Sequence, residues 1–180
     1  MNVVEPIRSR KDVTAIEEYL KLHNKRNRLI FVFGINTGLR VSDILALDVD
    51  DVLSKTHIEI REKKTGKYKR FPINKKLKKV LDEYLITKEI GEPLFIGKKN
   101  KRLHRSQVYR FLNEACKALN IKENIGTHTM RKTFGYHHYK QFNDVALLQN
   151  IFSHSSPSIT LRYIAISQEE IDSSYNSFEL

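Results

Sequence analysis

The segment "HTMR" at residues 128–131 combines two side chains that can hold a phosphate. His128 and Arg131 lie three residues apart and share one face of a predicted helix if Thr127 caps it. Helix N–H groups, a guanidinium fork and an imidazole together suit an anion. The predicted helix leaves this face uncluttered at Gly135. Taken alone, H-x-x-R is also the pattern of an ordinary surface pair or of a pair satisfied within the core.

A second segment, "SHSSPSITLRYI", places a nucleophile near another histidine. Ser155 or Ser156, followed by Pro157, predicts a helix start, with His154 just before it. Tyr163 follows His154 by nine residues, about two helical turns after the helix begins. A late helical tyrosine usually packs against a core, so the neighbouring histidine is what suggests chemistry here.

The histidines at 137 and 138 raise the question of a metal site. Adjacent helical residues point about 100° apart, so these two imidazoles diverge. The sequence contains neither an H-E-x-x-H motif nor a cysteine partner beside them. We expect no metal and no other cofactor.

Two further segments carry a basic residue beside a predicted helix end or turn, which limits where its side chain can reach. In "TGLRVSD", Arg40 follows a glycine helix stop, and Asp43 is spaced to brace its guanidinium. In "KKTGK", Lys64 lies beside a predicted turn, on an extendable arm. A surface ion pair and a solvated lysine are the common alternatives, and Lys63 or Lys67 replaces Lys64 if the turn shifts by one residue.

The charge balance points to a polyanionic partner. Of the 180 residues, 32 are Lys or Arg and 21 are Asp or Glu, which gives a net charge of +11 and an isoelectric point near 9.7. The single Cys116 excludes an internal disulfide, and no apolar run approaches a membrane span. We expect a cytoplasmic, nucleoid-associated protein with no membrane contact, for which a merely soluble basic surface is the alternative.

Hydrophobic periodicity predicts an α+β domain, mainly α with a small antiparallel β-sheet. Apolar residues of "HIEIREKKTGKYKRFPI" alternate with charges around Thr65-Gly66, so this segment predicts a β-hairpin. Ser9 is a plausible helix N-cap, and Gly38 is expected to stop a central buried helix. The predicted helices cover 11–23, 26–37, 41–47, 75–88, 105–119, 128–141, 144–152, 156–163 and 168–176.

Together, the segments around Arg40, Lys64, His128 with Arg131, His154 and Tyr163 resemble, in order and setting, the catalytic domain of the tyrosine recombinase (phage-type integrase) family. The resemblance covers nearly the whole chain and implies that family's fold. It departs from the family pattern at Ser153, where glycine usually precedes the histidine, and at Met130, where leucine is usual. A side chain at Ser153 shifts His154 if the backbone there needs a positive φ.

The family also sets an expectation for domain organisation. We expect residues 1–180 to form a single catalytic domain, without the core-binding or arm-binding domains that precede it in many members. The chain is then either a naturally compact recombinase or an isolated domain. Residues 164–180 form a C-terminal tail that packs either on a neighbouring protomer or on its own domain.

The resemblance implies a site-specific recombinase that cleaves and rejoins DNA through a 3′-phosphotyrosyl intermediate, without metal or ATP. It assigns Tyr163 as nucleophile, Lys64 as general acid, His128 as base, and Arg40, Arg131 and His154 as phosphate ligands, with Asp43 supporting Arg40 and His128. A catalytically silent DNA-binding regulator and a type IB topoisomerase are the alternatives.

The expected partners are double-stranded DNA and further copies of the chain, from dimer to tetramer, on paired DNA sites. A basic loop leading into the helix at 105–119 offers side chains to the phosphate backbone or the major groove. The residues expected to contact DNA are Lys63, Lys67, Lys69, Arg70, Lys101, Arg102, Arg105, Gln107, Arg110, Lys132 and Arg162.

Overall fold

The computed structural model describes residues 4–97, 100–166 and 175–179. Within these ranges a two-stranded antiparallel sheet is inserted among helices, so the predicted mainly α architecture with a small sheet is confirmed. The predicted helix over 168–176 lies mostly outside the described residues. The elements are α1 Arg10–His23, α2 Lys25–Thr37, α3 Val41–Ile44, β1 His57–Arg61, β2 Tyr68–Pro72, α4 Lys75–Leu85, α5 Arg105–Ala118, α6 Thr129–Phe142, α7 Val145–Phe152 and α8 Pro157–Tyr163, with a 3₁₀ turn at Val49–Asp51.

Helix α2 is the centre of the domain, as its nearly continuous apolar sequence predicts. It is buried from Arg28 to Gly34 and packs against α1, α4 and α6. A Cβ added at Gly34 would lie 2.8 Å from Met130 Cβ, so this glycine lets α2 and α6 approach closely. The helix ends at Gly38, whose φ of 64° is the left-handed conformation that glycine adopts without strain.

Side-chain caps fix most helix starts. Ser9 accepts a hydrogen bond from the Asp12 amide, and Ser156, rather than Ser155, caps α8 through the Ile159 amide. The prediction that Thr127 caps α6 is wrong. His128 occupies the N-cap position in an α-type conformation, and its side chain makes no capping bond, which leaves the imidazole available to other groups.

The hairpin pairs β1 and β2 with Ile58 opposite Phe71 and Ile60 opposite Lys69. Ile58 is fully buried against the main core, so this face anchors the hairpin to the helices. Strand β2 ends at Pro72, one residue before the predicted Ile73. The loop between the strands therefore projects from a fixed base.

The buried apolar side chains form two separate clusters. The main core gathers side chains of α1 to α6, while a smaller cluster forms around Leu148, Phe152 and Ile164 of the α7–α8 region. Helix α6 contributes to both, with Met130 in the main core and Phe134 against the smaller cluster. We call the boundary between the two clusters the seam. No helix in the described part of the chain is long and apolar enough to cross a membrane.

Candidate active site

Arg131 spans the seam from the first turn of α6. Its side chain is buried, and its guanidinium donates to the Gly38 carbonyl at 2.5 Å and to the Phe152 carbonyl at 2.9 Å. These carbonyls lie at the C-terminal ends of α2 and α7, where the helix dipole favours a cation. The Phe152 ring lies 4.2 Å from the guanidinium carbon. The buried charge is thus held by both halves of the molecule.

The Tyr163 hydroxyl lies beside the α6 N-terminus, 3.0 Å from His128 Nδ1. Burial raises the pKa of the Tyr163 phenol, against the opposing effect of the Arg131 and Arg40 charges. Burial also lowers the pKa of His128, and nearby cations, Arg131 first among them, lower it further. A neutral imidazole next to a protonated phenol is the arrangement that a base and its nucleophile require.

His154 also lies against Tyr163, with ring centroids 5.1 Å apart. Its Nδ1 lies 3.0 Å from Thr160 Oγ1, which fixes the ring within the α7–α8 turn. Desolvation and the charges of Arg131, Arg40 and Lys69 lower the pKa of His154 to about 4. The imidazole is therefore neutral at pH 7 in the absence of an anion.

The residue before this histidine adopts the left-handed conformation, as the family's usual glycine suggests. Ser153 has a φ of 55° and forms the C-cap of α7. The His154 amide still donates to the Gln149 carbonyl at 3.1 Å, so the capping turn is complete with serine in place.

Arg40 enters the site from the turn after α2, but its partner is not the one expected. The structure pairs its Nη1 with Glu62 Oε1 at 2.7 Å, and no ion pair with Asp43 forms among the described residues. Asp43 is buried, and its Oδ1 instead accepts the Lys63 amide at 3.0 Å. The prediction that Asp43 holds the Arg40 guanidinium is therefore wrong. The hairpin brings Glu62 to that guanidinium, and Asp43 instead accepts a hydrogen bond from the hairpin backbone.

Lys64 lies in the hairpin loop with its side chain exposed. The loop closes through the Gly66 amide to the Glu62 carbonyl at 2.8 Å and the Glu62 amide to the Lys67 carbonyl at 2.9 Å. Lys64 is among the cations that lower the pKa of His128, so its charge acts on the same site.

The residues expected to contact DNA divide into two groups. Four have intramolecular partners, one of which is Arg70, described below: Lys69 pairs with Glu62, Lys132 donates to the Val4 carbonyl, and Arg102 binds Asp48 and two carbonyls. For half-buried Lys69 and buried Lys132 the structure gives the ammonium groups partners within the fold, so their expected contact with DNA stays a prediction without structural support. Arg70 is exposed in a pair with Glu59, and Gln107 is half-buried. The remaining members are exposed: Lys63, Lys67, Lys101, Arg105, Arg110 and Arg162.

Around the N-terminus of α6 the structure thus gathers Arg131, His128, His154 and Tyr163, with Arg40 close enough to affect the pKa of each of the last three. Such a set can bind an anion with fixed donors and place a phenol beside it. No group of three or more His, Cys, Asp or Glu side chains that could hold a metal ion occurs within the described ranges.

Sequence reasoning missed Glu62 and the position of Lys69. A signal was present, because the strand alternation that turns buried Ile58 and half-buried Ile60 inward places residue 62 on the same face. Lys69 lies opposite Ile60 in the register and so faces inward as well. Thr160, which contacts His154, gave no such signal.

Comparison with known proteins identifies a family model and a relative that match nearly the whole chain. The model of the phage integrase family matches residues 9–170. The probable integrase/recombinase YoeC of Bacillus subtilis (strain 168) is 45% identical over 99% of this chain and 98% of its own length.

Solved structures share the fold at lower identity. The crystal structure of XerA recombinase is 22% identical, with a TM-score of 0.79 over 97% of this chain and 65% of its own. A lambda integrase tetramer bound to a Holliday junction is 18% identical, with a TM-score of 0.72 over 91% of this chain and 49% of its own. The chain therefore spans less than two thirds of each of these two proteins.

Proposed function

The chain belongs to the phage integrase family, and from this premise we propose that it is a site-specific recombinase that breaks and rejoins DNA through a 3′-phosphotyrosyl intermediate, without metal or ATP. The observation that carries this proposal is the Tyr163 hydroxyl, 3.0 Å from His128 Nδ1 and under the influence of Arg131 and Arg40. A phenol between a base and two guanidinium groups is suited to attack a phosphodiester.

In the cleavage step the Tyr163 oxygen attacks the phosphorus, and the bond from phosphorus to the 5′ oxygen breaks. His128 accepts the phenol proton, and Lys64 in the hairpin loop donates a proton to the departing 5′ oxygen. Energy of the broken bond is retained in the tyrosyl ester, so a 5′ hydroxyl can reverse the step and rejoin the strand.

Fixed cations offset the charge that builds on the non-bridging oxygens. Arg131 is held by two helix-end carbonyls and Arg40 by Glu62, so neither needs to reorganise when the phosphate binds. Neutral His154 adds a third contact. A bound phosphate diester carries a negative charge that opposes the cations around this imidazole, and its binding therefore favours the protonated, donating form.

We also propose that double-stranded DNA is bound by two to four copies of the chain. The net charge of +11 and the exposed side chains of Lys101, Arg105, Arg110 and Arg162 support DNA as the partner. A tetramer on a Holliday junction is the assembly of one protein with this fold.

The decisive test is covalent capture on a nicked substrate made from the DNA that flanks the gene. The short strand beyond the cut diffuses away and traps the protein on DNA, in buffer with EDTA and no nucleotide. We expect a covalent adduct with the native chain, none with Tyr163→Phe, and a normal amount with the control Tyr175→Phe, whose ring is exposed near the C-terminus. Sequence-specific binding without an adduct would instead support a silent DNA-binding regulator. Relaxation of a plasmid without strand exchange would support a topoisomerase.

A chemically modified substrate tests the assignment of Lys64 separately. Replacing the bridging 5′ oxygen by sulfur gives a leaving group that departs without a proton, because a thiol is far more acidic than an alcohol. Lys64→Ala should regain most of its lost cleavage rate on this substrate, whereas Arg40→Ala should not. If Lys63→Ala or Lys67→Ala is the variant rescued, that lysine is the acid in place of Lys64.

A further inference from the structure

Glu62 is the most completely buried carboxylate in the vicinity of the site. Its residue exposure is 1%, although it lies at the base of an otherwise exposed loop. Burial acts to raise the pKa of Glu62, but its contacts with Thr65, Arg40 and Lys69 outweigh burial and lower the pKa to about 2. The side chain is thus an anion held inside the protein, and a buried anion requires partners.

Two cations share one of its oxygens. Glu62 Oε1 lies 2.7 Å from Arg40 Nη1 and 3.1 Å from Lys69 Nζ. The same lysine donates to the Ile151 carbonyl, in the last turn of α7 and next to the Phe152 carbonyl that holds Arg131. One carboxylate therefore connects Arg40 to the helix end that precedes His154.

The other oxygen belongs to the hairpin loop. Thr65 donates its hydroxyl to Glu62 Oε2 at 2.5 Å, while the Glu62 backbone closes the loop through Lys67 and Gly66. Lys64 lies between these contacts. The residue that holds Arg40 thus also fixes the loop that carries the proposed acid.

We propose that Glu62 is a positioning residue for strand cleavage, which holds Arg40 ready for the phosphate and fixes the Lys64 loop without touching DNA. This inference rests on the proposed function. A carboxylate would repel a phosphodiester, and both Glu62 oxygens face groups of the protein, Oε1 in two ion pairs and Oε2 in the hydrogen bond from Thr65. Without the negative charge of Glu62, the cations Arg40 and Lys69 would face each other near Arg131 with no anion between them.

The variant Glu62→Gln tests this directly, because it keeps the shape and a hydrogen-bond acceptor for Thr65 while removing the charge. We expect cleavage on the nicked substrate to slow by about 10- to 100-fold, by analogy with the loss of residues that orient metal ligands. The matched control is Glu59→Gln, which removes an exposed hairpin carboxylate that interacts with exposed Arg70 and Tyr68 and should leave the rate unchanged.

A double-mutant cycle separates positioning from general structural support. In an Arg40→Ala background, Glu62→Gln should cost at most about a further twofold, because the charge of Glu62 acts through Arg40 and glutamine keeps the Thr65 contact that fixes the loop. In a His128→Ala background it should retain its full effect. An equal loss in all backgrounds, or no loss in the native chain, would overturn the inference.

Loss of the buried anion also leaves Lys69 unpaired, so folding is measured in parallel by thermal unfolding. If Glu62→Gln unfolds, the double variant Glu62→Gln/Lys69→Met removes the unpaired charge and should restore folding while cleavage stays slow. Full cleavage by this folded double variant would contradict the proposal. Failure of the native chain to form any adduct would instead contradict the proposed function, which keeps the two outcomes distinct.

Discussion

At the scale of single residues, Ser153 adopts a backbone conformation that normally favours glycine. Its φ of 55° at the C-cap of α7 costs an L-residue about 1 kcal/mol or more. Ser153→Gly should therefore raise the free energy of unfolding by about 1 kcal/mol, measured by denaturant titration. Asn143→Gly is the control, since Asn143 has the same conformation at the end of α6 but asparagine tolerates it better. Equal gains in both variants would count against this explanation.

His154 is a second residue with a measurable consequence. The pKa of His154, about 4 in the folded protein, lies below the ordinary histidine value of 6.5, so only the unfolded chain takes up this proton between those pH values. Stability attributable to His154 should therefore fall as pH drops from about 6.5 to about 4 and be constant above that window. Comparing thermal unfolding of the DNA-free native chain and His154→Asn across this range isolates the effect. Parallel curves would show that the folded pKa is not depressed.

At the scale of elements, the position of α7 and α8 against α6 depends on Gly135. A Cβ added there would lie 2.6 Å from Ile164 and 2.7 Å from Phe152, so those side chains would have to move. Gly135→Ala should lower stability by about 1 to 3 kcal/mol, the usual cost of overpacking, less a helix-propensity gain of about 1 kcal/mol. It should also slow cleavage more than it weakens DNA binding, since Tyr163 and His154 move while the basic surface stays. Gln141→Ala, on an exposed position of the same helix, is the control, and an equal effect there would refute the packing argument.

At the scale of the whole molecule, the excess of positive charge should govern DNA affinity. Roughly six to ten phosphate contacts would reduce the affinity by about 10³ to 10⁵ between 50 and 200 mM salt through counterion release. Fluorescence anisotropy with duplex DNA measures this dependence. Arg110→Ala should reduce the slope of log affinity against log salt concentration by about one, the value for one phosphate contact. Arg102→Ala should leave this slope unchanged, because Arg102 binds Asp48 and the carbonyls of residues 46 and 47. A DNA affinity that does not change with salt concentration would show that the net positive charge does not contribute to DNA binding.

Local sequence determined the parts of this protein that depend on neighbours along the chain. Periodicity placed the helices and the hairpin, because a helical or strand period is fixed by backbone geometry. Ser9 and Gly38 marked helix ends through their own hydrogen bonding and conformational freedom. The ordered set from Arg40 to Tyr163 was recognisable as a family pattern for the same reason, since it is carried by residue types and spacing.

Only the tertiary structure decided which charges meet. Asp43 is three residues from Arg40, yet Glu62, which is 22 positions away in the sequence, holds the guanidinium, because hairpin pairing turns residue 62 inward beside it. Lys69 and Lys132 were predicted to bind DNA from their charge alone, and packing gives each of them an internal partner that their sequence positions do not reveal. Charge pairing depends on distance in space and on desolvation, and neither quantity is set by separation along the chain.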